Sequence, residues 1–251
     1  MNRILPFVSM MLLIATLGIA DINAQESSGQ LWFCWEATVH PEMESQFVEL
    51  QIGYHRTLKD LGFPYPMYTW NDSKFGYYFF YPVDSYEDKS AIYAALRDAV
   101  SSWGEDNWNR MWETVQSHRT YCLQSLPEIS YQPKNPRLDE MEMPYAYWDI
   151  LYVKPGKEIQ FTELMKKLLA LEKEVDYDDP IQMFTGDLGF EGSVYIGALK
   201  GIDPIDFRAS NQRMIDLIGE EWIEIFRKAL TLTWKRESKE FWYLPDLSYF
   251  P

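Results

Sequence analysis

The chain has 251 residues, 38 acidic against 23 basic side chains for a formal net charge of -15, and an aromatic content of 16%. So acidic a surface repels phosphate backbones, which argues against nucleic acid as a partner and makes anionic lipid hardly better. The length allows one large domain or two small ones, and two cysteines with no CxxC spacing are too few for an iron-sulfur cluster.

Residues 1–24 read as a signal peptide. Arg3 supplies the positive start, Ile4 to Ala20 the apolar core, and Ile22-Asn23-Ala24 a cleavage site before Gln25, so the expected location is secreted or periplasmic. The rival is a retained anchor, since the apolar run is borderline for a bilayer span. No later segment is apolar enough to cross a membrane.

The first strand is predicted over Leu31 to Val39, dense in aromatic and β-branched residues. A helix follows Pro41, with Phe47, Leu50, Tyr54, Leu58 and Leu61 on one stripe. Two short strands come next, Met67 to Trp70 and Phe75 to Tyr81, joined across Asn71 to Lys74. A helical region split at Gly104 covers Ala91 to Val100 and Trp108 to Val115, and a last strand covers about Arg119 to Leu126.

The same order then repeats. A strand over Tyr145 to Val153 precedes a helix after Pro155 with Phe161, Leu164 and Leu168 on its stripe. The hairpin is Ile181 to Phe184 with Ser193 to Leu199, the split helix Phe207 to Ile218 with Trp222 to Leu230, and the last strand about Glu240 to Leu244. Val39 to Leu50 aligns without a gap on Val153 to Leu164, seven of twelve positions being identical where chance gives about one. Leu126-Pro-Glu-Ile-Ser-Tyr-Gln-Pro133 likewise matches Leu244-Pro-Asp-Leu-Ser-Tyr-Phe-Pro251. These closing segments read as extended arms, either packing through Tyr131 and Tyr249 or clasping the other copy or a partner.

The division that follows is residues 1–24 signal peptide, 25–133 first repeat, 134–144 linker and 145–251 second repeat. Each repeat is βαββαβ, the ferredoxin-like unit, whose sheet leaves one face bare. This order, duplicated, resembles the dimeric α+β-barrel superfamily with both halves in one chain. The fold class expected is α+β, two ferredoxin-like repeats packed as an intramolecular α+β barrel.

Glu36 and Asp149, inside apolar first strands, are candidate catalytic acids. If both face the enclosed space they meet, and repulsion with desolvation raises the pKa of at least one. His55 stands where the second repeat has Leu169, and the resemblance makes it a candidate base or haem ligand. His40 and His118, at a strand end and a helix end, form no HxH or HxxxH spacing. Trp108, Trp112, Trp148 and Trp222 are candidate ligand-binding aromatics; at helical spacing such a stripe also serves as plain core. Asp176 to Asp179 lacks the glycine and distal glutamate of a calcium loop, so no metal site is expected. Cys34 and Cys122 fall in strands that the ferredoxin-like order makes neighbours, so they form a disulfide or stay as two buried thiols.

The functional expectation is an exported protein binding a small neutral or aromatic ligand between or beside the sheets. No cofactor is evident. The alternatives are a cofactor-independent monooxygenase-like or haem-related enzyme, which the resemblance implies, and a structural or partner-binding exported protein.

Overall fold

A computed structural model describes residues 29–139 and 142–251; the proposed signal peptide lies outside the described residues. Eight strands form one closed antiparallel barrel in the order β1-β3-β2-β8-β5-β7-β6-β4. The first repeat contributes β1 (Leu31–Val39), β2 (Tyr68–Asn71), β3 (Gly76–Val83) and β4 (Val115–Ser125). The second contributes β5 (Tyr145–Val153), β6 (Ile181–Gly186), β7 (Ser193–Gly201) and β8 (Thr233–Tyr243). Among the described residues, two short strand seams, β2 with β8 and β4 with β6, close the barrel between the repeats, and closure removes the sheet edges that two separate repeats would expose.

Among the described residues, six α-helices cover the outside of the barrel: α1 (Glu44–Asp60), α2 (Tyr86–Trp103) and α3 (Glu105–Glu113), then α4 (Glu158–Glu174), α5 (Pro204–Ile218) and α6 (Glu220–Thr231). Helices α1 and α4 begin and end at positions that the duplication equates. The splits after α2 and α5 fall at Gly104 and Gly219, whose φ values of 99° and 81° glycine adopts at little cost. Among the described residues no helix is long and apolar enough to cross a membrane.

Strand alternation sorts the sheet's side chains into one inner and two outer cores, and a fourth, small cluster gathers Tyr131, Leu169, Tyr177 and Met214. Even-numbered residues of β1 and β5, such as Cys34, Trp148 and Ile150, fill the barrel with Tyr78, Phe80, Tyr121 and Phe241. Odd-numbered residues point outward under the helices and form one core per repeat. The middle of the barrel is therefore packed with aromatic rings; a polar cavity of about 1030 Å³ opens at the barrel mouth around Glu36, Tyr78, Arg119 and Lys239, and two smaller, more apolar cavities lie beside the sheets.

The two closing arms change sides. The arm of the second repeat runs along β2 of the first, where Met67 and Tyr249 exchange backbone hydrogen bonds of 2.8 Å and the Tyr249 hydroxyl donates to the Phe63 carbonyl. The arm of the first repeat pairs Tyr131 with Ile181 beside β6 of the second, and Tyr131 donates to the Tyr177 carbonyl. Each repeat thus places a tyrosine in its twin's core.

Register decides the fate of the two cysteines. Phe33 stands opposite Cys122 and Cys34 opposite Tyr121. One residue of displacement puts the thiols on opposite faces, Cys34 in the barrel and Cys122 under the helices. The strands are neighbours as the sequence predicts, but no disulfide forms, and both thiols are free and buried. The last strands are also longer than the sequence indicates, β8 starting at Thr233 instead of near Glu240.

Candidate functional site

The cavity of the second repeat lies between the outer face of its sheet and α4, α5 and α6, with a volume of about 400 Å³. Alternation along β5 aims Tyr145, Tyr147 and Asp149 into it, and neighbouring β8 adds Arg236. The apolar stripe of α4 supplies Met165 and Leu168, then breaks its own pattern with Glu172. Phe207 and Trp222 close the helical side.

Several polar groups stand in this largely apolar lining, Arg208, Asn211 and Glu240 among them, and two carry the chemistry. Arg236 donates to Asp149 through Nε at 2.7 Å and a terminal nitrogen at 2.9 Å, the bidentate geometry that fixes both planes. The hydrogen bond to Asp149 holds the guanidinium pKa above its ordinary value. Glu172 is only 5% exposed and accepts one long hydrogen bond, 3.4 Å from Trp222 Nε1. Burial lifts its pKa from 4.5 to about 7, the indole donor pulling weakly the other way. A carboxyl so placed exchanges a proton near neutral pH, the condition for general acid or base work on a bound hydroxyl.

The equivalent cavity of the first repeat is about 220 Å³. His55 lines it from α1 and Trp108 and Trp112 from the α3 side, with His118 on β4 instead of at a helix end. Burial holds the His55 pKa down to about 4. Trp112 packs edge-on to Trp108 and to His118.

Glu36 and Asp149, which would meet only if both faced the enclosed space, face opposite ways. The pairing at the strand ends equates Val39 with Val153, so Asp149 corresponds to Trp35 and Glu36 to Ile150; the one-residue slip turns one acid to the other face. Glu36 points into the barrel mouth, where it accepts from Arg119 Nε at 2.8 Å and from Lys239 Nζ at 3.0 Å. Lys239 also donates to Tyr78, whose hydroxyl donates to Asp72. These charges satisfy one another across the repeats. Trp148 joins neither cavity and packs on Phe80 and Phe241 inside the barrel. Of the predicted site residues, then, Asp149 and Trp222 share the second-repeat cavity, the larger of the two beneath the helices, His55, Trp108 and Trp112 the smaller, and Glu36 lines the barrel mouth. Sequence reasoning missed Glu172 and Arg236. Glu172 carried a readable signal: it sits four residues after Leu168 on the apolar stripe, where Leu58 stands in the first repeat. Arg236 lies in Thr233 to Lys239, too charged to read as a strand.

No family model matches the chain, and no curated protein sequence matches it either. Solved structures do. An anthrone oxidase-like protein superposes with a TM-score of 0.57 at 12% identity, over 87% of this chain and 92% of that one. A candidate monooxygenase from Lactobacillus acidophilus gives 0.53 at 9%, over 88% and 95%. A variant of chlorite dismutase from Candidatus Nitrospira defluvii gives 0.54 at 10%, over 87% and 93%.

The residues present do not fit a histidine-held haem. Among the described residues, the linings of the second-repeat cavity and of the barrel-mouth cavity contain no histidine or cysteine, and His55 faces a space below the roughly 300 Å³ at which drug-sized ligands are usually accommodated. What sequence, register and these superpositions establish together is the architecture: the chain has the dimeric α+β-barrel fold, with both halves of the barrel supplied by one polypeptide.

Proposed function

We propose that this protein binds a small, flat, weakly acidic aromatic molecule in the cavity of the second repeat, beside the sheet. The observation that carries the reading is Glu172, a buried carboxyl with one long hydrogen bond facing a largely apolar cavity of ligand size that aromatic rings line in part. Burying such a group costs free energy unless a partner meets it, and a ligand hydroxyl is the partner the cavity has room for. Tyr147, Phe207 and Trp222 offer ring faces and edges. The Asp149–Arg236 pair presents fixed donors and acceptors near the sheet.

A second reading builds on the same group. With a pKa of about 7, Glu172 would take the proton of a bound phenol or enol, the activation that a cofactor-independent monooxygenase-like reaction requires of its substrate. Superposition on an anthrone oxidase-like protein and a candidate monooxygenase favours this reading over a purely structural role. Export through residues 1–24 belongs to the same proposal, and N-terminal sequencing of the protein recovered from cells tests it.

The probe for the site is 2-naphthol, followed by calorimetry across pH 5–9. Saturable binding that changes through neutral pH, and loses that pH dependence in Glu172→Gln, is the expected result. No saturable binding, or binding indifferent to both Glu172→Gln and Trp222→Ala, would overturn the proposal.

A further inference from the structure

The smaller cavity carries an observation that the larger one does not explain. His55 is 9% exposed, and neither ring nitrogen has a hydrogen-bond partner among the described residues. A buried imidazole always has at least one N–H to donate, and in its neutral form one lone pair to receive. Leaving both unmet is costly, and native structures seldom do so without a reason.

Packing does not supply that reason. The duplication puts Leu169 at the position of His55, on a helix of the same length and bounds. Leucine is therefore compatible with this place in the fold. One turn earlier, Gln51 stands where the second repeat has Met165; it too is buried, and its amide donates only to the Met111 sulfur at 3.3 Å, a weak acceptor. Two polar side chains thus replace two apolar ones on a single face of α1, and both line the same space.

That space has a definite character. Apart from His55 and Gln51, its walls are largely aromatic, with Phe33, Trp35, Trp108 and Trp112 among them. Arg97 and His118 also face it, with the phenols of Tyr54, Tyr81 and Tyr93. A dry engineered cavity of about 150 Å³ holds benzene, so about 220 Å³ takes one or two fused rings.

We propose that the first repeat holds a second binding site, separate from that of the second repeat, for a neutral aromatic molecule of one or two rings bearing a single N–H or O–H. The phenol and indole class fits. Its ring lies among the tryptophans, and its polar atom meets His55, with Gln51 one turn away on the same helix as an additional partner. The two repeats then carry different sites on one scaffold: a larger one with an acid, and a smaller one with a neutral imidazole.

The test uses the full chain and pairs of ligands that differ in the polar atom alone, indole against indene and phenol against toluene. Calorimetry should show indole binding about tenfold more tightly than indene, the value of one good uncharged hydrogen bond. In His55→Leu the preference should disappear while indene binding stays within about twofold. In His55→Gln, which keeps a donor and an acceptor, it should return in part. Long-range proton-nitrogen spectra should show the His55 ring nitrogens shifting on addition of indole. Absence of saturable indole binding, an unchanged preference in His55→Leu, or unmoved His55 resonances would overturn the proposal. So would a preference that tracks Trp222→Ala, because that residue lines only the larger cavity.

Discussion

The two repeats share element order, helix bounds and a cavity under the helices, yet they have placed opposite chemistry on corresponding helices. On α1 an imidazole is buried at position 55, where α4 has Leu169; on α4 a carboxyl is buried at position 172, where α1 has Leu58. Each substitution sits one turn from the other on the common stripe. Duplication made this possible: the barrel needs two sheets to close, but it does not need two identical cavities. The apolar partner in each pair shows what the fold alone requires, and the polar one what has been added.

The largest effect should come from the arms, which tie the repeats together. Replacing Tyr249 by alanine removes a buried ring from the first-repeat core and should cost about 3–5 kcal/mol. Amide exchange should quicken first in α1, although the mutation lies at the end of the second repeat. Tyr131→Ala should do the converse, loosening α4 and α5. Equal loosening of both repeats by either variant would contradict the crossed arrangement.

Next come the titrations, whose signs are opposite. The His55 pKa falls from 6.5 to about 4 on folding, so its contribution is intact above pH 6.5 and is lost as pH drops toward 4. The Glu172 pKa rises from 4.5 to about 7, so its contribution is intact below pH 4.5 and is lost as pH rises toward 7. Each span corresponds to about 3 kcal/mol at most. In the wild type the slopes oppose each other between pH 4.5 and 6.5. Denaturant melts across pH should reveal them separately: His55→Leu leaves a protein that weakens as pH rises, and Glu172→Leu one that weakens as pH falls.

A smaller change is expected from Asp149→Asn. It keeps the shape but removes the charge opposite Arg236, and should weaken 2-naphthol binding about tenfold through misplacement of the guanidinium, with indole binding unaffected. The smallest is no change at all. With Cys34 and Cys122 on opposite faces, the melting temperature should be the same with and without reductant, and two thiols should titrate only after unfolding.

The duplication was legible because helix stripes and proline-led helix starts keep their spacing through divergence, as Val39 to Leu50 and Val153 to Leu164 do. What escaped the sequence depended on parity and on paired charge. The gapless register that pairs Val39 with Val153 already puts Asp149 opposite Trp35, so Glu36 and Asp149 match only with one residue of slippage; that slip reverses the side of the sheet, and the same parity separates Cys34 from Cys122 although their strands adjoin. The first half of β8 reads as a loop because Lys235, Arg236, Glu237 and Lys239 are charged; Lys239 finds Glu36 and Arg236 finds Asp149 only once the barrel closes. Glu172 was hidden differently, one acid among the many of an acidic chain, distinguishable only by its place on an apolar stripe.

The most direct test of the differentiated cavities is a carbon-13 NMR titration of the Glu172 side-chain carboxyl in the folded protein, with and without 2-naphthol. The account predicts a midpoint near pH 7 that moves when 2-naphthol binds. A midpoint near 4.5 that 2-naphthol leaves unmoved would contradict it.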